Sequence, residues 1–434
     1  MKGAALAAAL TLALTAPAVV ALEVPCKGLA PWKPNLERQN IPEPESTRPP
    51  KGMPMADPFG TCILRATNHA AETKDFARND YARRQAFNAD ETRFLIIDNR
   101  GAWHVYETGS LKPLGALQHL SGDAEPHWHP KNPKLLYYLP RNGIGMKLHE
   151  INVDDNTTRV AADFGARVAK IWPGAVAVWT RSEGSPSMDG RYWAFQVEDK
   201  KSQAFGFFTY DLQTDTILGT YDFAEHKKGR PDHVTMSPSG RFAVVGWEYP
   251  EVFERDLKQG RKLGPHFEHS DIGIDANGDD TYVSIDYKSG GMVFMQNLAT
   301  GKRTDFFRSY LHGTATAMHF SAKSYNKPGW FVLSTSGEYD SRNAGKRLSS
   351  AENGYQWLHR RIFAVEMHPD PRVINLAYTH ITSNGYWTEP HASVNRDFTR
   401  VIFNSNWGTS SKTDVDTFFV LLPAELPAAR KPPK

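Results

Sequence analysis

Seven times along the chain one short segment recurs: a polar residue, a tight turn, then a run of β-branched and aromatic residues. The copies read FNADETRFLII from Phe87, WHPKNPKLLYY from Trp128, PSMDGRYWAF from Pro186, MSPSGRFAVV from Met236, IDANGDDTYV from Ile274, FSAKSYNKPGWFVL from Phe320 and VNRDFTRVIF from Val394. The first turn residues are Asn88, His129, Ser187, Ser237, Asp275, Ser321 and Asn395, at steps of 41, 58, 50, 38, 46 and 74 residues. A unit repeating at such a period means stacked modules, and roughly 40–45 residues make one four-stranded propeller blade. The two longest steps then carry insertions. The pattern predicts an all-β, seven-bladed β-propeller as one closed domain, although 434 residues would ordinarily suggest two or three domains.

Each turn is followed by second and third strands, as in LLYYLP then MKLHEINV, or WAFQVE then AFGFFTYDL, joined by hydrophilic turns. The last repeat has three strands and lacks a fourth. A lone strand at Thr61–Arg65 precedes the first repeat, and it is expected to fill that gap and close the ring, which removes exposed sheet edges. Residues 337–357 form an insertion in blade six, read as a loop.

Residues 1–21 carry Lys2, an apolar run and small residues before Leu22, the pattern of a cleaved signal peptide. Pro17 interrupts the run, which is shorter than the ~20 apolar residues a spanning helix needs. A periplasmic or secreted protein without a membrane span is expected. A Pro-rich leader (22–58), the propeller (59–425) and a tail (426–434) would follow. Cys26 and Cys62 could pair in an oxidising compartment. A net charge of +3 with no block of like charge offers no basis for nucleic-acid binding.

In a propeller the strand before the turn lines the central channel, and its side chains alternate with period two. Even offsets back from each turn select Arg84, Glu125 and His127, Arg181 and Glu183, His233, His269 and Asp271, His319, and Glu389 and His391. Five blades thus aim a His at one axis, a pattern suited to metal binding or acid–base work. Loops between second and third strands add cations and aromatics at one end, among them Arg141, Trp247 and Tyr249. Arg can hold a carboxylate bidentately, so an anionic carbohydrate is the expected partner, with the protein acting as a monomer. GxSxG, HExxH, GxGxxG and P-loop motifs are absent.

The blade pattern, with EPHWHP…LLYYLP early and EPHASVNRDFTRVIFNSNWG late, resembles the secreted propeller polysaccharide lyases, the oligogalacturonate and ulvan lyases, and beyond them the TolB-type propellers. The resemblance implies a divalent metal (Mn, Zn or Ca) held by His319, Glu389 and His391, with Glu389 standing where the oligogalacturonate lyases have a His. It implies His269 as base by one branch of the family and His127 by the other, with His233 between them. Arg141 would clamp the substrate carboxylate and Tyr249 would serve as acid. The reaction implied is β-elimination on a uronate. Two other readings stand beside it: a non-catalytic periplasmic propeller that binds protein partners, and a hydrolase using Glu125 and Glu183.

Overall fold

Seven sheets stand in a ring, and each is one repeat of the sequence. The computed structural model describes residues 31–32, 47–266, 269–311, 314–340, 343–347, 358–382, 385–422 and 425–433; residues 1–21, expected as a signal segment, and Cys26 lie outside them. Blade three shows the common plan: an inner strand Ala175–Trp179, then Tyr192–Asp199, Ala204–Asp211 and Thr216–Asp222, paired antiparallel in chain order. Blades two, four and five repeat it from His127, Val234 and Ser270.

The recurring polar residue has a local cause. Its side chain accepts the backbone N–H of the residue that starts the second strand: Tyr192 N–H to Ser187 Oγ (2.9 Å), Phe242 N–H to Ser237 Oγ (3.1 Å), Arg93 N–H to Asn88 Oδ1 (2.9 Å) and Arg400 N–H to Asn395 Oδ1 (3.0 Å). One oxygen therefore closes each of these four turns. In blade four the turn ends on Gly240 at φ 72°, where a Cβ would meet the Tyr192 ring at 2.2 Å, so glycine is required twice over.

The core lies between blades. Seven hydrophobic clusters form among the described residues, and each fills one blade-to-blade interface. Strand Phe242–Gly246 shows how: Phe242 and Val244 pack toward blade five, Ala243 and Val245 toward blade three. A strand buried on both faces reads as a continuous apolar run, which is why these segments lack polar alternation.

Closure follows the expectation. Strand Cys62–Arg65 pairs antiparallel with Asp416–Leu421, so a strand ahead of blade one completes the last blade, and Pro54–Ala56 adds a fifth strand outside it. Ile63 packs into the cluster between blades six and seven, and Leu64 into that between seven and one. Cys62 is disulfide-bonded. No helix among the described residues is long and apolar enough to cross a membrane.

Three features differ from the sequence reading. The inner strand of blade one is paired only at Ala77–Arg78 and resumes at a single Phe87–Phe94 bridge, so residues 79–86 leave the ladder and enter the channel. The blade-six insertion is not all loop: strand Trp330–Asp340 extends into it and pairs with Asn343–Arg347, while 348–357 lie outside the described residues. The tail is docked: Trp330 Nε1 donates to the Pro427 carbonyl (3.0 Å), Arg430 binds Glu366, and Asn277 Nδ2 reaches the Pro432 carbonyl (3.0 Å) on blade five.

Candidate functional site

Blades six and seven bring three side chains together. His319 stands on inner strand Thr314–Ser321, and Glu389 and His391 precede inner strand Ser393–Val394. His319 Nε2 lies 2.7 Å from Glu389 Oε2, and His391 Nε2 lies 3.9 Å from the same oxygen. The imidazole rings of His319 and His391 are 4.2 Å apart, and His269 stacks on His319 at 4.5 Å. The chain adopts an unusual shape to do this: His391 has φ 40°, and Asn79 Nδ2 binds its carbonyl at 2.9 Å. Such positive-φ residues concentrate at functional sites.

Burial keeps the His391 and His269 imidazoles neutral. Burial, then the nearby His319 and Arg78, push His391 well below the usual range. Burial, then His319, push His269 down to about 3. Neutral imidazole is the metal-ligating form. Nδ1 of His319 and Nδ1 of His391 are buried with no hydrogen-bond partner among the described residues. Leaving a buried polar atom unsatisfied costs ~1–3 kcal/mol; the ring nitrogens that meet the carboxylate are the Nε2 atoms. Two imidazoles and a carboxylate are a donor set for a divalent transition metal.

His269 is held differently. Its Nδ1 lies 2.6 Å from the Met318 carbonyl. A carbonyl only accepts, so Nδ1 carries the proton and Nε2 keeps its lone pair.

A second cluster crosses the channel from residues 79–86. Arg83 Nε donates to the Ser270 carbonyl, Nη1 pairs with Glu183 (2.8 Å), and Nη1 lies 2.9 Å from both ring nitrogens of His233. Burial, then Arg83, lower the pKa of His233. Burial works to raise Asp232, but its bond to His233 and the charges of His233, Arg83 and Arg181 outweigh it and hold the carboxyl at about 2. Glu183, Asp232 and His233 could by spacing hold a cation, but the buried Arg83 already supplies the positive charge.

Four sequence candidates stand apart from the triad. His127 faces a separate cavity of ≈ 40 Å³ toward the turn end, lined also by Ser187, Gly190 and Lys323, and its Nε2 accepts from Arg84 (3.1 Å). His233 is engaged by Arg83, as above. Arg141 is exposed in a 3₁₀ turn (Arg141–Gly143) of blade two, with no contact to the triad. Tyr249 lies at the rim of blade four, between Lys262 and the stacked ring of His266. Arg141 and Tyr249 thus lie apart from the triad, because a loop's position in sequence does not set where its side chain points. Glu125 and Glu183 are both committed, Glu125 to the Thr180 and Ser182 backbone N–H groups and Glu183 to Arg83. That removes support for a glycosidase pair.

Sequence reasoning missed Arg78, Tyr81 and Arg83. The polar run NDYARRQA (79–86), with no β-branched residue where an inner strand was expected, was the available signal. Tyr81 packs against His319 (5.3 Å) and His391 (5.2 Å) and lines a cavity of ≈ 230 Å³ with Arg78, Arg84, Glu183, Tyr386 and Trp387. Burial, then Glu183, push its phenol well above the usual range, so it stays protonated.

Comparison with solved structures places the fold. The oligogalacturonate lyase of Vibrio parahaemolyticus superposes with a TM-score of 0.58 at 12% identity, over 86% of this chain and 96% of that one. The chain shares its seven-bladed propeller fold. An oligogalacturonate lyase in complex with manganese aligns with a TM-score of 0.55, also at 12% identity and over the same shares. No protein-family model and no curated protein matches the sequence.

Proposed function

We propose that this chain is a metal-dependent polysaccharide lyase that cleaves a uronate-containing oligo- or polysaccharide by β-elimination. The observation that carries this reading is the convergence of His319, Glu389 and His391 against a neutral His269. A divalent cation held by those three residues would supply Lewis-acid polarisation of the uronate carboxylate, which acidifies the proton at C5. Manganese or zinc suits the nitrogen-bearing set better than calcium, which takes 6–8 oxygens, and the manganese-bound neighbour supports the same choice.

The remaining steps fall to side chains. His269 Nε2, unprotonated and oriented by the Met318 carbonyl, takes the C5 proton. The electron pair forms the C4–C5 double bond, and the C4–oxygen bond breaks. Tyr81, protonated and in contact with two of the metal-set imidazoles, gives its proton to the leaving oxygen. The apolar leader at residues 1–21 supports export to the place where such polymers occur.

The test is to incubate the purified protein with manganese and a panel of uronate polymers and to follow ultraviolet absorbance of the new double bond. Metal-dependent absorbance that a chelator abolishes is expected. Neither bound metal nor product from any uronate would sink the reading and leave a TolB-like propeller that binds protein partners.

A further inference from the structure

The turn of blade six is longer than its counterparts and carries charge into the channel. In blades one, three, four and seven the second strand starts five residues after the recurring polar residue, as from Ser187 to Tyr192; in blade six, Ser321 and Trp330 are nine apart. The longer turn is pinned to that of blade seven. Asn326 N–H donates to the Arg396 carbonyl (3.0 Å) and Asn326 Nδ2 to Asp397 Oδ1 (2.6 Å). Lys323 and Arg396 thereby enter the wall of one cavity, the ≈ 40 Å³ space at the turn end of the channel, which His127 also lines. None of its lining residues belongs to the metal triad or to the ≈ 230 Å³ cavity.

The described lining of this cavity holds two cations and no carboxylate. Lys323 is 4% exposed, and its Nζ donates to Asp271 Oδ1 (2.8 Å) outside the lining. Asp271 is held in turn by the backbone N–H groups of Ile272 and Ala322. Burial works to lower the pKa of Lys323, but Asp271 and Tyr325 outweigh it, so the ammonium keeps its charge. Arg396 lies with its guanidinium 5.9 Å from the Tyr325 ring, and its Nε is buried with no hydrogen-bond partner among the described residues. The acids nearest in charge to it are engaged elsewhere, Glu91 by Asn395 Nδ2 (2.5 Å) and Asp397 by Asn326. His127 adds a donor. A guanidinium only donates, so His127 Nε2 accepts from Arg84 and the neutral ring carries its proton on Nδ1.

A buried N–H without an acceptor is costly, and a charged acceptor offsets that cost most strongly. Size narrows the acceptor. A water needs roughly 10–15 Å³ on this measure, so the cavity takes about three water-sized atoms. That fits a small oxyanion and excludes a sugar ring. We propose that the turn end of the channel is a second site, which binds one small oxyanion through Arg396, Lys323 and His127. The chemistry is that of inorganic phosphate, sulfate or a single carboxylate group. The proposal is independent of the lyase reading, since it uses no residue of the reacting cluster.

The experiment is isothermal titration of the purified protein with sodium sulfate, phosphate and acetate, against Arg396→Gln and Lys323→Met. Saturable binding of one anion per chain is expected, weakened about tenfold or more in each variant, as for a lost hydrogen bond to a charged group. Binding of sulfate and phosphate marks a free inorganic anion as the ligand, and binding of acetate alone marks a carboxylate. Lys323→Met leaves Asp271 buried without its cation, so folding is checked by circular dichroism. Arg396 is partly exposed, and its variant carries the test if Lys323→Met fails to fold. Sulfate affinity should be the same with manganese present, because no triad residue lines the cavity. No saturable binding of any of the three anions, wild-type affinity in Arg396→Gln, or sulfate binding that requires manganese would each overturn the site.

Discussion

Glu366→Gln probes how the tail is fastened to the propeller. Glu366 ends the third strand of blade six (Arg361–Glu366) and is fully buried. It accepts from Arg372 Nε (2.9 Å) and Nη2 (2.5 Å), and from Arg430 backbone N (2.7 Å) and Nη2 (2.7 Å). Burial works to raise its pKa, but the hydrogen bonds from Arg372 and Arg430 outweigh it and bring the carboxyl from 4.5 to about 2. At ~1.36 kcal/mol for each tenfold step in proton affinity, that gap corresponds to ~3 kcal/mol. Screening at the partly exposed Arg430 trims it to ~2–3 kcal/mol. A carboxyl whose pKa falls on folding stabilises fully above its unfolded value and loses that contribution as pH drops through the folded value. The wild type should therefore exceed Glu366→Gln by ~2–3 kcal/mol at pH 7, and the difference should shrink steadily from about pH 5 toward pH 2. Urea unfolding followed by tryptophan fluorescence at a series of pH values measures it. A difference that stays constant with pH, or is under ~0.5 kcal/mol at neutral pH, as for an ordinary surface pair, would refute the reasoning.

Other predictions follow from the ring and the site. Ile63→Ala, at a fully buried position of the closing strand, should cost ~2–5 kcal/mol in urea unfolding; a negligible loss would mean that the strand does not close the ring. His391→Ala should abolish near-stoichiometric metal in elemental analysis while the far-ultraviolet circular dichroism stays unchanged. Full metal content in that variant would contradict the assignment of the triad. His269→Gln should lower kcat by ~100-fold or more with metal content retained, and a parallel loss of metal would make His269 a ligand instead of a base.

Parts of this molecule were legible because they depend on local periodicity. The turn residues Asn88, Ser187, Ser237 and Asn395 recur because each closes its own turn, a contact between residues five apart. His319 could be picked by counting because blade six keeps a regular inner strand near the turn; Glu389 and His391 were picked by the same count although they lie just before a two-residue inner strand and His391 has φ 40°. The same counting selected Arg84 and passed over Arg83, because residues 79–86 leave the ladder and alternation no longer applies there. Arg141 and Tyr249 were correctly assigned to loops, but nothing local sets the direction of a loop side chain.

The sequence by itself determined the number of blades, the strand that closes them and the residue types along the axis, since each follows from a repeat or from alternation along a strand. Only the tertiary structure decided which of five channel histidines come together. His269, His319 and His391 come from three different blades, and their rings meet within 4.5 Å because the ring's curvature brings those inner strands together. It also decided that Arg83 occupies His233, and that the Arg78 guanidinium lies against the Trp387 ring. Those outcomes depend on burial and on contacts between residues hundreds of positions apart, and no local pattern encodes them.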